Sequence, residues 1–81
     1  MKDDLAIFTE SLLDTVSKNV VRIRNEKGYS QLKLAIEIGL SGASYLGRME
    51  LRTKNHRFNL EHLAKISKVL DVDIKEFFKP V

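Results

Sequence analysis

Leu5, Phe8, Leu12, Val16, Val20 and Ile23 follow one another at intervals of 3, 4, 4, 4 and 3 residues. That spacing puts them on one stripe of a helix and predicts a first helix over residues 4–27, stopped by Gly28. Thr9, Ser11, Thr15 and Ser17 are mediocre helix formers, so two shorter pieces are an alternative. Ser30 is placed to cap a second helix over 31–38, with Leu34, Ala35 and Ile38 inward and Gly39 at its end. Leu40 reads as a buried turn residue. Ser41 can cap a third helix over 42–50, with Leu46 and Met49 inward. Residues 51–58, LRTKNHRF, are a polar and basic loop.

Asn59 can cap a fourth helix over 60–70, on which Leu60, Leu63, Ala64, Ser67 and Leu70 share a face. After the link Asp71–Val72, Asp73 and Glu76 form a capping-box pattern at the start of a fifth helix over 74–79, whose Ile74, Phe77 and Phe78 close the core. No period-two run of β-branched residues is bounded by turns. The prediction is an all-α five-helix bundle in a single domain, residues 1–81.

Composition narrows the possibilities. At 81 residues and 43% hydrophobic, the chain can build one core of modest stability, for which dimerisation is a common remedy. The absence of cysteine removes disulfides, thiolate zinc sites and thiol nucleophiles. His56 and His62 have no metal-ligand company, so neither a metal site nor a cofactor is expected. No run approaches the length of a membrane span, and MKDDLAIFTESLL lacks the order of a signal peptide. A soluble cytoplasmic protein is the expectation. There is no set of nucleophile, base and orienting group, no paired carboxylates in a plausible cleft and no glycine-rich phosphate loop, which argues against an enzyme.

The net charge of +3 is unevenly distributed. Residues 27–57 carry Lys27, Lys33, Arg48, Arg52, Lys54 and Arg57 against Glu37 and Glu50, a local balance of +4. Residues 1–16 carry one lysine against four acids, a balance of −3. A basic middle suggests a face for a polyanion. The middle also holds the two shortest predicted helices before the fifth. Helices of that length are marginal alone, and their pairing makes sense if the second has to be presented to a partner.

Arg24, Gly28, SQLKLA, GLS, SYLGRME, a basic loop and FNLEHLAKISKVLDVDIKEFF stand in an order that resembles the XRE-type helix-turn-helix regulators, the Cro- and phage-repressor-like DNA-binding proteins. The resemblance covers residues 16–78. It implies five helices, with the third lying in the major groove of double-stranded DNA. It also implies that Gln31 bonds a phosphate at a helix N-terminus, where free N–H groups favour an anion, with Lys33 beside it. Arg24 and Glu50 match a pair that braces the first helix against the third. Ala43, Ser44, Tyr45 and Arg48 match the base-reading face, with Arg48 the best candidate for a bidentate contact to guanine. Arg52, Lys54, Asn55 and Arg57 match a loop that follows the phosphate backbone. Phe58, Val72, Ile74 and Phe78 are candidates for the dimer interface.

Two departures from the family pattern stand out. The turn GLSGAS is one residue longer than usual, which leaves open whether Gly42 or Ala43 begins the reading face. The usual glycine after the glutamate is replaced by Leu51 and Arg52. An end soon after the fifth helix leaves no room for a ligand-sensing domain. That suits a small stand-alone homodimeric regulator on a palindromic operator, similar to the controller proteins of restriction–modification systems, with RNA polymerase as a further candidate partner. A phage-type repressor or an antitoxin-like autoregulator would look the same. The rival class is a helical protein-binding module using an apolar patch at Leu5, Phe8 and Leu12.

Overall fold

The computed structural model describes residues 2–81. It contains four α-helices: α1 Lys2–Glu26, α2 Gln31–Glu37, α3 Ala43–Leu51 and α4 Leu60–Leu70. Two short 3₁₀ segments, Thr53–Asn55 and Ile74–Phe78, complete the fold, and there is no strand among the described residues. α1 is one unbroken helix of 25 residues. Gly28 follows it with φ 75°, a backbone angle glycine takes at no steric cost. Ser30 caps α2 by accepting from the Lys33 N–H at 3.0 Å.

The core joins Val16, Val20 and Ile23 of α1 to Leu34 and Ala35 of α2, Leu46 and Met49 of α3, and Leu63, Ile66 and Leu70 of α4. Phe77 seals it from the last segment, fully buried. Two buried polar side chains of α1 fix the register of the pieces around it. Ser17 Oγ donates to the Met49 carbonyl at 3.0 Å, at the end of α3. Asn19 Nδ2 donates to the carbonyls of Phe77 and Lys79, at 2.9 and 2.7 Å. Each satisfies backbone groups that burial would otherwise strand.

Several expectations are corrected. The fifth element is a 3₁₀ segment, not an α-helix. Only six residues separate Asp73 from Pro80, and Asn19 holds the Phe77 carbonyl from outside, which leaves little length for α-turns. Asp73 does cap it, accepting from the Lys75 N–H at 3.0 Å, while Glu76 pairs with Lys79. α4 buries Leu63 and Leu70 as expected, but its inward face is rotated: Ile66 is buried with them, while Leu60 and Ala64 are exposed. Ser67 is only half-buried and spends its hydroxyl on the Ala64 carbonyl. On α1 the buried stripe begins at Val16, and Leu5, Phe8 and Leu12 are exposed although they continue the same stripe. A helix of this length spans about 37 Å, close to the 40 Å long axis of the whole molecule, so its first turns overhang the body.

Candidate nucleic-acid interface

α2 and α3 are joined by the turn Ile38–Gly42, in which Gly39 takes φ 91° and Leu40 packs against the core. The N-cap of α3 is Gly42, not Ser41, in an extended conformation and with no side-chain cap. Ala43 is therefore the first residue of α3. Ser44, Tyr45 and Arg48 then lie exposed, with Ala43 half-buried beside them. Leu46 and Met49 point the other way and are fully buried. α3 is thus held by its inner face and presents Ser44 and Arg48 outward.

Beneath that surface lies the Arg24–Glu50 pair. Arg24 Nε and Nη2 donate to the two Glu50 carboxylate oxygens at 2.7 and 3.2 Å. The side chains are only 9% and 3% exposed. Arg24 Nη1 also donates to the Tyr29 carbonyl at 2.8 Å, tying the end of α1 to the residue before the α2 cap. Gln31 Nε2 donates to Glu50 Oε1 at 2.8 Å, so α2 is held to α3 through the same carboxylate. Gly47 backs onto the Gln31 side chain, and a Cβ there would lie 3.6 Å from Gln31 Nε2. Gln31 is therefore a strut between the two helices in this structure, a role the sequence pattern did not suggest.

The loop after α3 divides its basic residues. Arg52 takes the left-handed cap position of α3, φ 56°, where a glycine would be unstrained. Its guanidinium turns back to α1, with Nη2 donating to Glu10 Oε1 at 2.7 Å and Nη1 to Asp14 Oδ1 at 2.6 Å and the Glu10 carbonyl at 3.1 Å. Its side chain is 10% exposed, and its Nε is buried without a partner. The hydrogen bond to Glu10 raises the Arg52 pKa; burial pulls against that rise and Asp14 adds to it. Arg52 is thus occupied, and it stands apart from the loop cations grouped with it from sequence. Lys54 and Asn55, both with positive φ, and Arg57 remain exposed. Lys33 is exposed on α2, its Nζ 4.4 Å over the Tyr29 ring. Arg48 has no ion-pair partner among the described residues. From Ile38 to Arg57 the one acid is Glu50, and it is consumed internally.

Of the residues assigned to a dimer contact, Phe58 is core, Val72 and Ile74 are half-buried against the core, and Phe78 is exposed.

This surface, two short helices at a tight turn with a buried brace below and uncompensated cations above, is a helix-turn-helix. A family model described as HTH_3, helix-turn-helix, matches residues 20–77, more than half of the chain. The chain belongs to the XRE-type HTH_3 family. It is accordingly a DNA-binding protein of the transcription-regulator class, a family typically without enzymatic activity. No curated protein and no solved structure matches it. No described helix is long and apolar enough to cross a membrane.

One further contact links the helix-turn-helix to α4. The Tyr45 ring meets His56 edge-on at 5.4 Å and His62 at 6.2 Å. His62 also closes a capping box with Asn59: its N–H donates to Asn59 Oδ1 at 2.7 Å, and its Nδ1 accepts from the Asn59 N–H at 3.1 Å. A nitrogen that accepts cannot carry a proton. Burial also pushes the His62 pKa below 6.5, with Glu61 opposing and Lys65 reinforcing. The unfolded chain therefore binds this proton more readily than the folded one. Stability from this residue is full above 6.5 and is lost as pH falls from there through the depressed folded value. His62→Gln keeps a side-chain acceptor without titrating. Denaturant midpoints measured across that range should fall for the parent and flatten for the variant. Equal slopes in the two proteins would sink the assignment.

Proposed function

We propose that the chain is a sequence-specific regulator that binds a palindromic operator as a homodimer, with α3 of each copy in a major groove. The observation that carries this reading is the charge of α3 and the loop that follows it. Arg48, Lys54 and Arg57 stand there with no free acid between Ile38 and Arg57. α3 spans about 13 Å, suited to a groove about 12 Å wide. Ala43, Ser44, Tyr45 and Arg48 are the base-contacting set, with Arg48 on a guanine edge. Tyr45 is steadied by His56 and His62, so it enters with a fixed ring. Lys33, Lys54, Asn55 and Arg57 are the phosphate contacts. Gln31 can offer its backbone N–H to a phosphate while its side chain holds Glu50. Arg52 is left out of the set, because its guanidinium is bound to Glu10 and Asp14.

A single α3 contacts few base pairs, so two-fold pairing with half-sites about 10 base pairs apart supplies the remaining readout. Phe78, with the flanks of Val72 and Ile74, offers apolar surface near that pairing. Within the class, the controller protein of a restriction–modification system is the role we favour, with RNA polymerase as a further partner. A phage-type repressor or an antitoxin-like autoregulator is the outcome to weigh against it, and the position of the operator relative to its promoter decides between activation and repression.

The test is a gel-shift titration against duplexes from upstream of its own gene and against random duplexes of equal length. The reading requires a preferred fragment that survives random competitor. Equal affinity for all duplexes would remove sequence-specific regulation and leave a general DNA-binding role.

A further inference from the structure

We infer that the first three turns of α1 form an arm that seats in an apolar groove of a second copy, each copy giving its arm to the other. The inference rests on the homodimer reading above and names the surface that makes the dimer.

Leu5 and Phe8 are each 69% exposed and Leu12 is 39% exposed, on the stripe that Val16, Val20 and Ile23 continue into the core. The pattern belongs to a helix face made for burial, yet the body of its own molecule ends below it. Where the body ends there is a groove of about 230 Å³. Leu12 and Leu13 form its α1 wall, Leu60 and Phe78 form the opposite rim, and Phe58 lies at its floor. Leu60 and Phe78 are themselves 71% and 42% exposed. The arm cannot fill the groove of its own chain, because the arm is one of that groove's walls. A second copy related by a two-fold axis can fill it, and the exchange is then mutual and closed.

Three further observations fit this occupant. The exposed parts of these two phenylalanines and three leucines amount to roughly 500 Å² per copy, so pairing would bury about 1,000 Å², where specific interfaces begin. Next, the arm does not hang free. Arg52 grips Glu10 and Asp14, which stand away from the stripe. The arm is thus held in position before pairing, which reduces the ordering cost of association. The same grip keeps both carboxylates clear of the apolar face, so pairing need not desolvate them. Finally, Phe58 at the groove's floor follows Arg57 of the basic loop in the chain, so loop and groove adjoin there. Pairing there would bring the two loops to either side of the two-fold axis, as a shared DNA duplex needs.

The experiment reads association and proximity separately. Sedimentation equilibrium of the full chain should show a dimer, and Phe8→Lys and Leu60→Lys should each weaken it on the order of 100-fold. Leu51→Lys, at an equally exposed leucine outside the groove, should leave it unchanged. Because the chain has no cysteine, Phe8→Cys and Leu60→Cys proteins can be mixed and treated with a short bis-maleimide. A cross-linked mixed pair is the expected product. A monomeric parent, a dimer indifferent to both lysine variants, or no mixed cross-link would each overturn the inference. Failure of the operator reading would look different: the arm-paired dimer would form and show no preference among DNA fragments.

Discussion

Glu50→Ala is expected to destabilise the fold by about 3 kcal/mol or more, the cost typical of leaving one member of a buried ion pair behind. For a domain of this size that lowers Tm on the order of 15 °C. The variant strands Arg24 among residues that leave it 9% exposed. It also removes the acceptor that holds Gln31 to α3. Arg24 has a second role at the Tyr29 carbonyl, so losing its partner loosens the start of α2 as well. A double variant, Arg24→Met with Glu50→Leu, separates stability from positioning. Replacing both charges with apolar groups of similar size is often close to neutral, so the double variant should recover most of the lost Tm. It should not recover DNA affinity, because no carboxylate remains to hold α2 and α3 together through Gln31. Thermal unfolding and gel shifts on the same two proteins decide this. If Glu50→Ala melts with the parent, the pair is not the brace described. If the double variant binds DNA as the parent does, the brace acts on stability alone.

The residues that were legible from sequence are those whose reason is local. Gly28 and Gly39 stop helices because the backbone needs a positive φ there. Ser30, Asn59 and Asp73 cap because each side chain reaches an N–H two or three residues on. Arg24 with Glu50 was legible only through the family resemblance, since 26 residues separate them.

What escaped has its cause at long range. Arg52 sits in a basic run and reads as a phosphate contact, while its partners lie 38 and 42 residues upstream. A faint signal did exist: Glu10 has no cation at helical spacing to match it, and Arg52 stands where a glycine is usual. Gln31 was assigned to a phosphate through the family resemblance, and its side-chain bond to Glu50, 2.8 Å away and 19 residues on, gives no sequence sign. Asn19 gives no sequence sign of holding the far end of the chain. Periodicity also continues past the body it implies. Leu5, Phe8 and Leu12 fit the stripe as well as Val16 does, and a stripe records that a face is to be buried without saying by which molecule.

Arg48→Ala is expected to abolish most of the discrimination between operator and random DNA while leaving general affinity largely in place. A bidentate arginine–guanine contact is worth about 1–3 kcal/mol of discrimination, and two half-sites double it to about 2–6 kcal/mol, a loss between roughly 30-fold and 10⁴-fold. Its position supports that assignment: it is exposed on α3, has no ion-pair partner among the described residues, and lies one turn from the exposed Ser44. Lys54→Ala is the matched control. It removes a loop cation proposed above as a phosphate contact, so it should weaken operator and random DNA about equally. Both variants lose one charge per copy, so net charge cannot explain a difference between them. The salt dependence separates them further. Each phosphate contact contributes about −0.9 to the slope of log affinity against log salt. Lys54→Ala in a dimer should therefore flatten that slope by about 2 on operator and random DNA alike. Arg48→Ala should flatten it by less on random DNA, where the side chain has no guanine in register. If Arg48→Ala instead weakens every duplex equally and flattens the slope as Lys54→Ala does, Arg48 grips phosphate, and the reading falls to Ser44 and Tyr45.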